Sequence, residues 1–164
     1  MPTATIIPFQ PPLPQVLPTI EGNVDYRNLR EQFARINQLL DQSGLEQEFI
    51  QSDLDRWSQS QKRVSARAQR ARQIHAQRAL RCNIARVLLH EDYRGFAARL
   101  ADSPLLQHFC LLSQLTVRIP SKSTLQRYDQ WWEENQVRQR LHQVLVLVAQ
   151  DPGRLDLDQA LDLN

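Results

Sequence analysis

Apolar residues recur along most of this chain at spacings of three and four, the repeat of one helix face. Tyr26, Leu29, Phe33, Ile36 and Leu40 form the first such series, with Asn23 or Asp25 placed to cap it and Ser43-Gly44 to end it. Leu45, Phe49, Ile50, Leu54 and Trp57 predict a second helix, and the two together a hairpin with acidic outer faces. Residues 60–90 form the longest uninterrupted helical candidate, in two unlike halves. Lys62 to Arg78 is polar and basic, whereas Leu80 to Leu89 is apolar nearly all round. A helix apolar all round is buried, so the second half belongs in a core from which the first projects.

Tyr93, Phe96, Ala97 and Leu100 predict a short helix. Asp102-Ser103-Pro104 breaks and restarts the chain, with Ser103 as cap and Pro104 in the first helical position. Residues 113–120 are a connector, after which Ser121 caps a helix bearing Leu125, Tyr128 and Trp132 on one face. Val137, Leu141, Val144, Leu145 and Val148 make a last helix, stopped before Asp151-Pro152-Gly153. The expected fold is an all-α multi-helix bundle with a helix-turn-helix-like C-terminal half. Its predicted parts are a Pro-rich tail (1–22), an acidic hairpin (23–59), a basic helical region (60–150) and a terminal tail (151–164).

Composition agrees with that reading. Glycine is scarce, at 4 residues, and Leu, Gln, Arg and Ala dominate. No apolar run reaches the roughly 20 residues of a membrane span, and the proline-rich start is not a secretory signal. The 2 cysteines make no disulfide framework, so a cytoplasmic protein is expected. Charge changes the picture more. The net charge of +2 conceals blocks of −5 over residues 1–55, +9 over 56–90 and −2 over 91–164. A concentrated positive block in a near-neutral chain marks one local polyanion site.

Within that block Arg63, Arg67, Arg70, Arg78 and Arg81 fall in one arc of a helical wheel, with Arg72 and Arg86 outside it. Arginine's planar fork holds phosphate oxygens in pairs, and Gln69, Gln73, Gln77 and Asn83 are interleaved as candidates for base edges. The alternative is a solvated face whose arginines offset the acidic hairpin. A second candidate is the helix opening at Ser121. Its free backbone N–H groups, with Lys122, Ser123, Thr124, Gln126 and Arg127, make a phosphate seat and bring Gln126 and Arg127 near a major groove. The connector before it exceeds the usual three or four residues of a helix-turn-helix. His75 with Cys82, and His108 with Cys110, lack zinc-ligand spacing, and Asp156, Asp158 and Asp162 read as solvated charges; no metal or cofactor is expected. Trp57, Trp131 and Trp132 suit packing better than base stacking. A competing function is a dimerising module built on Trp131, Trp132 and the Val137-to-Val148 face.

The run Asp102-Ser103-Pro104-Leu105-Leu106-Gln107-His108-Phe109-Cys110, then Ile119-Pro120-Ser121-Lys122-Ser123-Thr124-Leu125-Gln126-Arg127-Tyr128, resembles the N-terminal region of bacterial insertion-sequence transposases. These carry an RNase H-like core with a carboxylate triad, preceded by Ser-Pro-Leu and then Pro-x-x-Ser-Thr-Leu-x-Arg. The resemblance covers roughly residues 60–150. It implies DNA binding at the inverted-repeat ends of a mobile element. None of the three catalytic carboxylates can be placed, so it further implies a truncated transposase, a split gene product or a decayed copy, with no catalysis by this chain alone.

Overall fold

The computed structural model describes residues 17–19 and 24–149, with side chains in the second stretch from 27 to 143. Seven helices follow one another among these residues: α1 (Val24–Ser43), α2 (Leu45–Gln59), α3 (Ala66–Leu89), α4 (Tyr93–Asp102), α5 (Pro104–Phe109), α6 (Lys122–Glu134) and α7 (Val137–Ala149). No strand occurs among them, as the three-four spacing required.

Local chemistry sets most boundaries. Gly44 separates α1 from α2 at φ 66, a left-handed conformation that glycine enters without a Cβ penalty. Asp92 accepts from the Gly95 amide at 2.6 Å and Ser103 from Leu106 at 3.3 Å. Ser121 accepts from Thr124 at 3.2 Å. Each satisfies an amide that the first helical turn leaves without a partner. One expected boundary is corrected. The helix expected from residue 60 begins only at Ala66, capped by Ser65 through the Ala68 amide at 3.1 Å. Arg63 therefore lies in the α2–α3 connector rather than on the helical wheel.

The largely apolar second half of α3 is central to the packing. Ala76, Ala79, Leu80, Cys82, Ile84 and Ala85 are buried, and α3 packs most extensively against α6 and α2 and also touches α4. One contiguous core runs from Leu17 to Leu141, so the acidic hairpin and the later helices share it. Phe33 of α1 meets Phe109 of α5 with ring centroids 4.5 Å apart. Each large aliphatic side chain buried here stabilises the fold by about 1.5–3 kcal/mol.

At the end of the proline-rich tail, Leu17 is buried and the Pro18 carbonyl accepts from Arg30 Nε at 3.0 Å. The rest of that tail, and the segment 151–164 with Asp156, Asp158 and Asp162, lie outside the described residues. Between α5 and α6 the chain runs from Cys110 to Ser121, and α5 itself has only six residues. The connector is thus longer than the three or four residues of a usual helix-turn-helix, as its sequence indicated. No helix among the described residues is long and apolar enough to cross a membrane.

Candidate nucleic-acid interface

The arginines of α3 divide according to what α2 places opposite them. Arg81, on the same arc as Arg67, is turned inward and is 9% exposed. Its Nε and Nη2 donate to the two Glu46 carboxylate oxygens at 2.6 and 3.0 Å. Its Nη1 donates to Asn37 at 2.8 Å and to the Phe109 carbonyl at 3.0 Å. Every edge of that fork is occupied inside the protein, which removes Arg81 from the expected phosphate-binding stripe. Arg72 is spent similarly, with Nε and Nη2 each 2.8 Å from the fully buried Asp53 carboxylate. For these two, the alternative in which the basic helix offsets the acidic hairpin is what the structure contains. Arg86 pairs with Asp129 at 2.6 Å, on the side facing α6.

The remaining arginines are differently placed. Arg67 and Arg70, in the first turns of α3, are exposed, and Arg63 is exposed in the connector before it. Arg78 is half-buried. None of the four has an ion-pair partner among the described residues. Three of the interleaved amides are placed differently. Gln69, Gln77 and Asn83 are buried and do not face solvent, and Asn83 Nδ2 donates to the Tyr128 carbonyl at 2.8 Å, fastening α3 to α6; Gln73 is half-buried.

The opening of α6 has the expected exposure. Lys122, Ser123, Gln126 and Arg127 are exposed and Thr124 half-buried. The Ser121 hydroxyl lies 3.0 Å from both the Ser123 and Thr124 hydroxyls, and Arg127 Nη2 donates to Thr124 Oγ1 at 3.2 Å. Lys122 has no ion-pair partner among the described residues, and neither has Arg127.

Packing of α3 on α6 joins the two elements near their middles. His75 of α3 meets the Tyr128 ring of α6 edge-on, centroids 5.2 Å apart. Burial lowers the His75 pKa from its usual value, and the charges of Arg72 and Arg127 lower it further against an opposing pull from Asp53. The Tyr128 phenol is pushed up to about 12, chiefly by burial, with Arg78 and Arg127 both pulling it down. Arg78 of α3 and Arg127 of α6 thus both act on the Tyr128 ring.

Beside it lies a cavity of about 440 Å³ that sequence reasoning missed. It is lined by Arg78, by Leu112 and by Gln114, Leu115, Thr116 and Arg118 of the connector. The only signal available was Arg118, a lone cation in a segment without periodicity.

The remaining candidates are accounted for by packing. Of the proposed dimer face, Trp131, Trp132, Val137 and Leu141 are buried in the chain's own core, and the side chains of Val144, Leu145 and Val148 lie outside those described; Trp57 is half-buried. The cysteines, which lack zinc-ligand spacing, meet each other. Cys82 and Cys110 are both buried and reduced, and burial first, then a hydrogen bond with Cys82, raises the Cys110 pKa well above its usual value. No three histidine, cysteine or acidic residues converge to hold a metal ion among the described residues. Comparison with family models, with curated protein sequences and with solved structures yields no match.

Proposed function

We propose that this chain binds double-stranded DNA through the exposed cations of the α2–α3 connector, of α3 and of the start of α6. The observation that carries the reading is the juxtaposition itself. Two elements some fifty residues apart along the chain, each bearing exposed cations, are packed together at His75 and Tyr128, with Arg78 and Arg127 both acting on Tyr128. Arg63, Arg67, Arg70, Arg78 and Lys122 then offer charge that no acid of the described residues neutralises, while Asp53 and Glu46 of α2 are turned to Arg72 and Arg81. Phosphate contacts by such groups set affinity and orientation, and Gln126 and Arg127 are the exposed residues suited to base edges.

The resemblance of residues 102–128 to insertion-sequence transposases supplies the biological setting. In this reading the chain recognises the inverted-repeat ends of a mobile element in the bacterial cytoplasm. It contributes binding and leaves strand transfer to carboxylates it does not itself provide. The test is fluorescence anisotropy of a labelled duplex at increasing salt. Binding whose log affinity falls with log salt by about 0.9 for each phosphate contacted is expected. Absence of duplex binding at low salt refutes the proposal.

A further inference from the structure

Leu115 is the most exposed large apolar side chain among the described residues, presenting its entire surface to solvent. Its position is built. Leu112 is buried on one side of it, and Val117 and Ile119 are packed against the core on the other. The Leu112 amide donates to the Gln107 carbonyl at 2.8 Å, and the Ser113 hydroxyl lies 3.2 Å from His108 Nε2. The connector is therefore anchored at both ends and pushes out a short tip, Gln114-Leu115-Thr116, whose centre is a leucine. Arg78 and Arg118 line the same cavity as that tip, and no acid does.

We infer that Leu115 is a wedge that enters between two base pairs of bound duplex DNA and kinks it, while Arg78 and Arg118 hold the flanking phosphates. The inference rests on the DNA-binding reading above and extends it to the form of DNA bound. Two features select this occupant over a protein. A leucine side chain offers on the order of 100 Å² of apolar surface, whereas a stable protein interface needs about 800 Å² from each partner. The polar neighbours of Leu115 are cations and neutral donors, which complement a phosphate backbone. Apolar side chains flanked by arginine are the means by which proteins unstack a base step from the minor groove, and pyrimidine–purine steps yield most readily.

The test uses the full chain and a duplex of about 24 base pairs with a fluorophore at each end and 2-aminopurine beside a central TA step. On binding, energy transfer between the ends rises as the duplex bends, and 2-aminopurine fluorescence rises about twofold or more as its base unstacks. Leu115→Ala returns both signals to those of free DNA. Its anisotropy affinity stays within about threefold of the parent, because the cost of unstacking disappears along with the contact. Arg78→Ala and Arg118→Ala weaken binding itself and reduce the salt dependence. Leu115 is solvent-exposed, so its substitution leaves the melting temperature unchanged and folding does not confuse the result. Parent protein that binds without bending or unstacking overturns the wedge and leaves DNA binding standing. Bending retained by Leu115→Ala overturns it equally, as does a Leu115→Ala protein that sediments as a smaller species, which would assign the leucine to a protein contact. Absence of duplex binding removes both proposals.

Discussion

Asp53→Asn is the sharpest test of how this bundle is held together. Asp53 belongs to α2 and is fully buried. Its carboxylate accepts from Arg72 Nε and Nη2, each at 2.8 Å, and from Arg56 Nη2 at 3.2 Å. The same Arg56 nitrogen donates to Asn135 Oδ1 at 3.0 Å, and Asn135 Nδ2 donates to the Trp131 carbonyl at 2.9 Å. One carboxylate thus ties α2 to α3 directly and to the end of α6 through Arg56. The amide keeps the volume but removes the charge and turns a donor toward a guanidinium. Removing one partner of a buried pair costs about 3–5 kcal/mol. The Arg72 side chain is 26% exposed and can rehydrate in part, which places the expected loss near the lower bound, about 3 kcal/mol. For a chain of this size that lowers Tm by about 6–12 °C. Urea and thermal unfolding followed by far-UV circular dichroism read it directly. In the double variant Asp53→Asn/Arg72→Gln the loss is smaller than the sum of the single losses, because the second change removes the charge the first left unpaired. Glu48→Gln is the control. Glu48 contacts Arg140 at the surface with its side chain 61% exposed, so its loss is within about 1 kcal/mol. An Asp53→Asn change as mild as that control refutes the reasoning.

The other expectations concern the basic surface and its neighbours. Arg67→Ala with Arg70→Ala flattens the salt slope of DNA affinity by about two and weakens all sequences alike, with little change in stability; an unchanged slope removes the phosphate role. Gln126→Ala lowers affinity by an amount that depends on DNA sequence, measured by competition between duplexes. Arg81→Ala destabilises by about 3–5 kcal/mol in urea, since it strands Glu46, and leaves the salt slope unchanged. His75 has a folded pKa below its usual 6.5, so the unfolded chain takes up the proton first as pH falls. Its stabilising contribution is complete above about pH 7 and is lost as pH falls through 6.5 toward the folded pKa; His75→Gln should flatten that part of a stability–pH profile.

Much of the helical framework was legible because its causes are local. The three-four apolar spacing marked α1, α2, α4, α6 and α7, and the caps at Ser103 and Ser121 and the stop at Gly44 act within one turn of their own residues. The burial of much of the second half of α3 followed from a stretch apolar nearly all round. The start of α3 was misjudged because residues 60–65 contain nothing that forbids a helix, and the Ser65 cap becomes visible only once the chain has turned there. The candidate site was legible only as a block of charge. A helical wheel gives the angle of a side chain about its axis but not what stands opposite it along the length. Arg67 and Arg81 share an arc, yet one reaches water and the other meets Glu46, thirty-five positions away in sequence. Which cations were left free, and that Arg78 of α3 and Arg127 of α6 would both act on Tyr128, depended on where α2 and α6 cross α3. The placing of Leu115 beside Arg78 depended likewise on how the core anchors the Cys110–Ser121 connector at both ends. Such contacts join residues distant along the chain, and their energy arises only when the whole bundle closes; no local pattern encodes them.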